Sequence, residues 1–460
     1  MSDRERADGV YAALLERMGE QWVQPRVERT RRVLDLLGEP QRAYRVVHVT
    51  GTNGKTSTSR MIESIVRAHG LRTGLFTSPH LVRFTERIVI DGEPIDDALI
   101  ADAWEEIEPI IALVDAELAA TGDAALTYFE LLTVLAFVAF ADAPVDVAVI
   151  EVGMGGSWDS TNTADGDVAV IGPIAMDHAD RLGHTITEIA RVKSGIIKPG
   201  ARVVSAEQTA DAAAVLRARA DEVGATLYVE PEQFALTDDR VAVGGQVISV
   251  RGIAGTYDSV PLPLHGAHQA HNAALAIAAV EALIGEGEQP IVEALLVEGL
   301  AQVLSPGRMQ LIGTLPTVVV DAAHNPHGAH ALAAALPQAF DAGEWGLIVG
   351  VLGDKDAAGI LRELAGVAKR VFVTAPDSDR ASDPEQLADV AEDLGLSVSV
   401  HPDLEDAAAT ARAWAQSDDD EGPRRGILIA GSVVLAGEAI ALARADGWLV
   451  PLDATGGADA

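Results

Sequence analysis

The stretch HVTGTNGKTS, residues 48–57, constrains this chain more than any other part of its sequence. A β-branched apolar run precedes it and apolar positions with helical spacing follow it, so the pattern predicts a strand, a glycine-rich turn and a helix. Backbone N–H groups in such a turn point into one concavity, and the helix N-terminus adds partial positive charge there. The stretch therefore predicts a phosphate-binding loop.

The residues of this loop that we expect to bind a nucleotide are Gly51, Thr52, Asn53, Gly54, Lys55, Thr56 and Ser57. Lys55 is expected to reach the β- and γ-phosphates, and Thr56 or Ser57 to place a hydroxyl near Mg²⁺. The usual motif has a further glycine where this chain has Val49, although Gly51 and Gly54 still supply the tight turn. The alternative is an ordinary glycine-rich turn between a strand and a helix.

Length and charge exclude several classes of protein. A chain of 460 residues is too long for one core, so two or three domains are expected. The net charge of −35 argues against binding to nucleic acid or to an anionic membrane surface. The absence of cysteine excludes disulfides, thiolate metal sites and thiol nucleophiles. A polar N-terminus and the lack of an 18-residue apolar run predict a cytoplasmic protein.

The order of predicted elements indicates an α/β fold. Short β-branched runs alternate with longer amphipathic ones, which is typical of parallel sheets covered by helices. Strands are predicted at 45–50, 145–150, 168–171, 201–204, 226–229, 317–321, 346–351, 371–374, 396–399 and 426–430. We expect an N-terminal mononucleotide-binding domain of the P-loop type (1–303), a smaller C-terminal Rossmann-like α/β domain (304–450) and a flexible tail (451–460).

Local signals add detail to this outline. Residues 87–95 predict a hairpin that turns at Asp91-Gly92, and residues 240–250 predict a second one. The most apolar stretch, 131–141, has the length of a buried core helix. Long helices are expected to begin near Gln269 and near Pro290. A solvated loop is expected at 417–422 and a frayed end at 453–460.

The phosphate loop and seven further blocks resemble one known family. TGTNGKTS resembles the phosphate loop of the Mur ligase superfamily. The other blocks are similar to folylpolyglutamate synthases and occur in that family's order: LFTSPHLVRFTERI (75–88), EVGMGGSWDSTN (151–162), DHADRLGHTITEIARVKSGIIKPG (177–200), HQAHNAALA (268–276), PGRMQ (306–310), DAAHNPHGA (321–329) and AGSVVLAGEA (430–439). The resemblance covers most of the chain. It implies an ATP-dependent carboxylate–amine ligase of folate biosynthesis and one-carbon metabolism.

Three side chains in separate loops predict a metal site. Ser78, Glu151 and His178 supply a hydroxyl, a carboxylate and an imidazole after three predicted strands, and strand carboxyl ends meet at one edge of an open sheet. The resemblance implies that these positions bind Mg²⁺, with two metal sites in all. Taken singly, a turn serine, a surface glutamate and a capped histidine are the alternatives.

Lys193 lies in a predicted helix, where most lysines are solvated. The resemblance implies instead that Lys193 carries CO₂ as a carbamate, which would hold the second metal or order the γ-phosphate. It also implies catalytic roles for Lys55, Lys193, His178 and Arg308.

The resemblance further assigns binding residues. Asn272, Arg308 and Asp321 match positions that contact the adenosine and phosphates, and His324 is expected to hold ATP or a closing interface. Thr127, Tyr128, Phe129 and Glu130 match the lining of the pterin pocket, where Tyr128 or Phe129 stacks on a flat ring or belongs to the core. Gly155 and Gly156 are also expected at the substrate.

The resulting hypothesis is a monomeric ligase with three small-molecule substrates, namely ATP, L-glutamate and a folate or dihydropteroate. ATP would phosphorylate a carboxylate of the folate, and the amino group of glutamate would attack the acyl phosphate. A peptidoglycan Mur ligase and a nucleotide-binding switch without ligase activity are the alternatives. Only 50 residues precede Gly51, which leaves little room for the extra substrate domain of a peptidoglycan ligase.

Overall fold

The computed structural model describes residues 1–19, 25–417 and 423–450. The chain divides into two compact units. Unit 1 contains Met1–Thr237, Ser249–Asp258 and His271–Val303, and unit 2 contains Asp238–Ile248, Ser259–Ala270 and the chain from Leu304 onward. The sequence predicted a hairpin at 240–250 but did not indicate that two short segments of the 238–270 region belong to unit 2.

The secondary structure alternates between helices and strands throughout. The helices are α1 (Asp3–Leu15), α2 (Val27–Leu36), α3 (Lys55–Ala68), α4 (Asp97–Thr121), α5 (Tyr128–Asp142), α6 (Ala179–Leu182), α7 (Ile186–Lys193), α8 (Ala210–Val223), α9 (Ala267–Ile284), α10 (Glu293–Ala301), α11 (Pro326–Ala339), α12 (Ala357–Leu364), α13 (Pro384–Asp393), α14 (Leu404–Gln416) and α15 (Val433–Ala445). The strands are β1 (Arg45–Thr50), β2 (Thr73–Phe76), β3 (Ile88–Ile90), β4 (Glu93–Pro94), β5 (Val147–Glu151), β6 (Val168–Ile171), β7 (Arg202–Ser205), β8 (Thr226–Val229), β9 (Ala235–Ala242), β10 (Gly245–Arg251), β11 (Thr256–Leu262), β12 (Gln310–Thr314), β13 (Thr317–Val320), β14 (Glu344–Val349), β15 (Ala368–Val373), β16 (Ser397–Val400) and β17 (Arg425–Ala430).

The sheet of unit 1 has eight strands in the order β4-β3-β2-β5-β1-β6-β7-β8. Strands β2, β5, β1, β6, β7 and β8 run parallel, and β3 and β4 form the predicted hairpin at one edge. Asp91 and Gly92 both have positive φ, as a two-residue hairpin turn requires. Strand β1 lies between β5 and β6, so the loops that follow these three strands share one edge of the sheet. The predicted parallel α/β fold is confirmed.

Helix α5 forms the centre of the core in unit 1. Its sequence is apolar on every side, and its residues from Leu131 to Phe140 are all buried, as predicted for this stretch. Gly74 of β2 permits close packing, because a Cβ there would lie 2.7 Å from Cδ1 of Phe140. The core of unit 1 is therefore packed directly on the sheet that carries the phosphate loop.

The sheet of unit 2 has six strands in the order β12-β13-β17-β14-β15-β16. All neighbouring pairs are parallel except β12 and β13. This is a Rossmann-like arrangement, as predicted. Its parallel strands β13, β14, β15 and β17 have buried side chains on both faces at their centres, because helices cover both sides.

A third, smaller sheet contains three strands in the order β11-β10-β9. The sequence predicted only a hairpin at 240–250; β9 begins earlier, at Ala235, and β11 adds Thr256–Leu262. Most of the predicted loop at 417–422 and all of the predicted tail at 453–460 lie outside the described residues. Across the described ranges, no helix is both long enough and apolar enough to cross a membrane.

The packing around α5 predicts a large cost for opening a cavity there. Phe140→Ala should lower the free energy of unfolding by about 3–5 kcal/mol, because the ring is fully buried against β2 and Tyr44. Leu113→Ala, on the exposed side of α4, is the control and should change it by less than about 0.5 kcal/mol. Urea unfolding followed by circular dichroism measures both; equal effects of the two substitutions would contradict this description of the core.

Candidate active site

The phosphate loop connects β1 to α3 at the carboxyl edge of the first sheet. Gly54 is the N-cap of α3 with φ of 82°, in the left-handed region that favours glycine. A Cβ on Gly51 would lie 3.1 Å from Cα of Gly172, so the loop passes close to the backbone after β6. Thr52 fixes the loop further, because its N–H donates to Pro173 and its hydroxyl bonds to Ala175. Asn53 lies between Gly51 and Gly54 in the same turn.

Asn272 lies directly against this loop. Its side-chain Oδ1 is 2.5 Å from the position that a Cβ on Gly54 would occupy. The residue is buried in the first half of α9, and any side chain at Gly54 would displace it. The structure thus brings together two residues, Gly54 and Asn272, that are 218 positions apart in the sequence.

Lys55 folds back over the loop. Its Nζ donates to the carbonyl oxygens of Gly51 at 3.3 Å and Thr52 at 3.2 Å. These carbonyl contacts hold the ammonium group at the mouth of the turn, where phosphates are expected.

The two hydroxyl candidates in the first turn of α3 have different surroundings. Thr56 Oγ1 contacts both carboxylate oxygens of Glu151, at 2.9 and 3.0 Å, whereas Ser57 is buried. Glu151 is the last residue of β5 and also accepts from the backbone N–H of Ser78 at 3.4 Å. Hydroxyl and carboxylate oxygens are hard donors of the type that Mg²⁺ prefers.

His178 lies in the loop after β6, before α6. Its backbone is left-handed, with φ of 48°, and its N–H donates to Asp177 Oδ1 at 2.9 Å. Residues held in this region often belong to functional sites. In the part of the chain that the structure describes, no group of three histidine, aspartate or glutamate side chains is arranged to hold a metal. The hydroxyl of Thr56 and the carboxylate of Glu151 nevertheless place hard oxygen donors, of the kind that Mg²⁺ prefers, beside the phosphate loop.

Lys193 is a buried residue and not a solvated one. Its Nζ donates to the carbonyl oxygen of Gly51 at 2.8 Å, and its exposed fraction is 4%. Burial, followed by the nearby charge of Lys55, lowers the pKa of Lys193 from 10.5 to about 7. A substantial neutral fraction of this amine therefore exists at neutral pH.

Gly155 and Gly156 bring a loop against the end of α7. A Cβ on Gly156 would lie 2.8 Å from the carbonyl oxygens of Val192 and Lys193, and one on Gly155 would lie 2.9 Å from a methyl of Val192. Thr50 donates to the carbonyl of Gly155 at 2.9 Å. The two glycines thus fit the loop between the phosphate loop and the helix of Lys193.

The four candidate pterin residues are the N-cap and the first turn of α5, and three of them have polar or charged partners. Thr127 and Glu130 form a capping box, and the Glu130 carboxylate also binds the guanidinium of Arg26 at 2.9 and 3.0 Å. Tyr128 is buried with the guanidinium of Arg87 over its ring. Phe129 is half-buried and remains the better candidate for stacking on a flat ligand.

Three candidates of unit 2 lie together, with Arg308 just before β12 and with Asp321 and His324 after β13. Asp321 accepts from the N–H of Met309 at 2.8 Å and of Ala323 at 2.7 Å, which holds the segment of Arg308 beside it. Burial raises the pKa of Asp321, and Arg308 opposes that shift. The ring of His324 contacts the Ala322 carbonyl through Nδ1 at 3.0 Å. These contacts position a guanidinium, a carboxylate and an imidazole at one end of the second sheet.

Sequence reasoning did not single out three residues of unit 1 that contact the candidate site or its supporting loops, namely Arg26, His48 and Asp159. Arg26 binds Glu130 across 104 positions, for which no local pattern exists. His48 had a signal, because a single polar residue interrupts the valine run of β1.

Comparison with known proteins identifies the family. The model of the Mur ligase middle domain matches residues 97–280, and the model of the Mur ligase glutamate ligase domain matches residues 307–433. A dihydrofolate synthase/folylpolyglutamate synthase of Mycobacterium tuberculosis is 45% identical, over 92% of this chain and 91% of its own length.

Two solved structures have the same fold. The Mycobacterium tuberculosis folylpolyglutamate synthase complexed with ADP has a TM-score of 0.91 at 44% identity, covering 96% of this chain and 99% of that one. Escherichia coli FolC in complex with DHPP and ADP has a TM-score of 0.81 at 31% identity, covering 95% and 98%. The chain belongs to the folylpolyglutamate synthase family of Mur ligases.

Proposed function

We propose that this chain is an ATP-dependent ligase that adds L-glutamate to a folate through an acyl phosphate. The observation that carries the proposal is the convergence on one phosphate loop of Lys55, the Thr56–Glu151 pair and the buried Lys193. Nucleotide binding alone would use Lys55 and the Thr56–Glu151 pair, so the buried Lys193 is the element that goes beyond it. The ADP complexes of two relatives support ATP as the nucleotide.

The first step transfers the γ-phosphoryl group to a carboxylate of the folate, because a free carboxylate is a poor electrophile. One O–P bond forms and another breaks, which leaves ADP and an acyl phosphate. Lys55 is proposed to neutralise charge that spreads over the transferring group, and Arg308 is proposed to contact phosphate, as its match in the family implies. Mg²⁺ held by Glu151, Ser78 and His178 would supply further positive charge at the β- and γ-phosphates.

In the second step, the amino group of glutamate attacks the acyl carbon. As the C–N bond forms, the nitrogen loses one proton; the tetrahedral adduct then expels phosphate as the C–O bond to it breaks, and an amide bond remains. None of these steps requires a covalent bond to a protein side chain. Asp321 and His324 are proposed to bind ATP; they lie in the part of the chain that matches the model of the Mur ligase glutamate ligase domain.

Lys193 is proposed to carry CO₂. The ammonium group first loses one proton, and the neutral amine then attacks CO₂; a C–N bond forms as one C–O π bond opens and a second proton passes to solvent, so that the former cation becomes an anion. Two carbamate oxygens suit a hard cation or a γ-phosphate held through it. The burial and the lowered pKa of Lys193 support this reaction, because only the unprotonated amine reacts.

Dihydropteroate is the second proposed substrate. The relative from Mycobacterium tuberculosis carries both the dihydrofolate synthase and the folylpolyglutamate synthase names, and the Escherichia coli relative binds DHPP. The decisive experiment incubates the purified chain with ATP and L-glutamate, together with tetrahydrofolate or dihydropteroate. Phosphate release that requires glutamate and either pteridine supports a ligase. Release without them would favour a nucleotide-binding switch instead.

Lys55→Ala tests the phosphate loop. Ligation should fall at least about 100-fold because positive charge at the transferring phosphoryl group is lost, while the circular dichroism spectrum is unchanged. Lys369→Ala, at an exposed lysine of β15, is the matched control and should keep full activity. Near-normal turnover by folded Lys55→Ala protein would remove this loop from the mechanism.

The proposed carbamate on Lys193 predicts that the ligase activity depends on CO₂ and on pH. The pKa of about 7 means that protonation increases below neutrality, so activity should fall as the pH drops below about 7 and should fall again when CO₂ is removed at constant pH. Labelled bicarbonate should restore it and give a ¹³C carbamate resonance.

Two variants complete this test. Lys193→Ala should lose both the activity and the resonance, and a short carboxylic acid should restore part of the activity; Lys369→Ala should keep both. Full activity of Lys193→Ala would exclude a carbamate.

A further inference from the structure

A fully buried histidine lies in the strand that leads into the phosphate loop. His48 of β1 has an exposed fraction of 0%, and its Nε2 lies 2.9 Å from Oγ1 of Thr161. Burial, with a smaller effect of Lys198, lowers the pKa of His48 to about 3, so the ring is neutral. Nothing in the proposed chemistry uses this residue.

The hydrogen bonds around Thr161 fix the direction of a chain. Thr161 Oγ1 lies 2.5 Å from Asp159 Oδ1, and a carboxylate only accepts, so the hydroxyl donates to it. The same hydroxyl must then accept from His48, whose Nε2 therefore carries the proton. The remaining ring nitrogen, Nδ1, has no hydrogen-bond partner among the described residues. The bond from Nε2 to Thr161 is therefore the hydrogen bond that orients this buried ring within the described residues.

Asp159 connects this chain to a loop. Its Oδ1 also accepts from the N–H of Thr161 at 3.0 Å, its Oδ2 accepts from the N–H of Met154 at 2.9 Å, and Gly153 contributes a further backbone hydrogen bond. One carboxylate thus ties both ends of the segment 153–161 together. The segment cannot shift at Gly153 without breaking bonds to Asp159.

Phe129 packs on the other side of this segment. A Cβ on Gly153 would lie 2.5 Å from Cζ of Phe129, so the ring rests directly on the Gly153 backbone. Any displacement of Gly153 therefore moves the support of the ring that is proposed to face the pteridine. The connection runs from β1 through two side chains and one loop to that ring.

We propose that His48 and Thr161 are positioning residues for the pteroyl end of the substrate, acting through Asp159 on Gly153 and Phe129. The inference rests on the proposed function, because it takes Phe129 as part of the folate site. Neither residue touches the substrate. Their role is to hold the loop in register with the strand that carries the phosphate loop.

Thr161→Val and Thr161→Ser provide a matched test. Valine has nearly the shape of threonine but lacks the hydroxyl, whereas serine keeps it. Thr161→Val should raise the KM for tetrahydrofolate about tenfold, the scale of one hydrogen bond, and leave the KM for ATP within about twofold. Thr161→Ser should restore the folate KM to within about twofold of the original.

Thr163→Val is the control for loss of a buried hydroxyl in the same short turn, because Thr163 bonds only the Ser160 carbonyl in this network. It should leave both KM values unchanged. His48→Leu is the second variant and should reproduce the selective rise in the folate KM.

The outcomes distinguish a failure of the proposed function from a failure of the positioning role. An unmodified chain without ligation would refute the proposed function. An active chain in which Thr161→Val leaves the folate KM unchanged, or raises both KM values by one factor, would overturn the positioning role alone.

Discussion

Two lysine side chains share the carbonyl oxygen of Gly51. Lys193 approaches it at 2.8 Å and Lys55 at 3.3 Å, so two basic side chains meet inside a chain of net charge −35. A polyanion can bind such a protein only where local positive charge outweighs the overall field. Burial of Lys193, and after it the proximity of Lys55, makes a second ammonium group unfavourable here and lowers the pKa of Lys193. The proposed chemistry of the site follows from these two opposing effects, namely the need for positive charge at the phosphates and the cost of a second buried ammonium group.

The sheet makes this crowding possible. Strand β1 lies between β5 and β6, so Glu151 at the end of β5 and Gly172 after β6 lie on either side of the phosphate loop. Close approaches at Gly51, Gly54 and Gly156 then bring Gly172, Asn272 and the end of α7 into contact with the loop or its neighbour. Each close approach requires that no Cβ be present, which is the physical reason for glycine at these positions.

Much of this arrangement could be predicted from the sequence where the signal is local. The valine run of β1, the apolar α5 and the Asp91-Gly92 turn each have a period or a turn residue that indicates the structure found. Pairings across long separations could not be predicted in this way. The Arg26–Glu130 ion pair and β11, the third strand of the small sheet, depend on tertiary packing. Such packing produces no periodic pattern in the sequence. Which of Thr56 and Ser57 faces Glu151 could be decided only from the direction of α3 in the structure.

The central claim is that a carboxylate is phosphorylated before glutamate attacks it. A folate whose reacting carboxylate is labelled with ¹⁸O tests it most directly, with mass analysis of the phosphate that is released. Transfer through an acyl phosphate predicts one ¹⁸O atom in the phosphate for each glutamate added, because the attacked carbon keeps only one of its two labelled oxygens. Unlabelled phosphate released during productive ligation would contradict the mechanism.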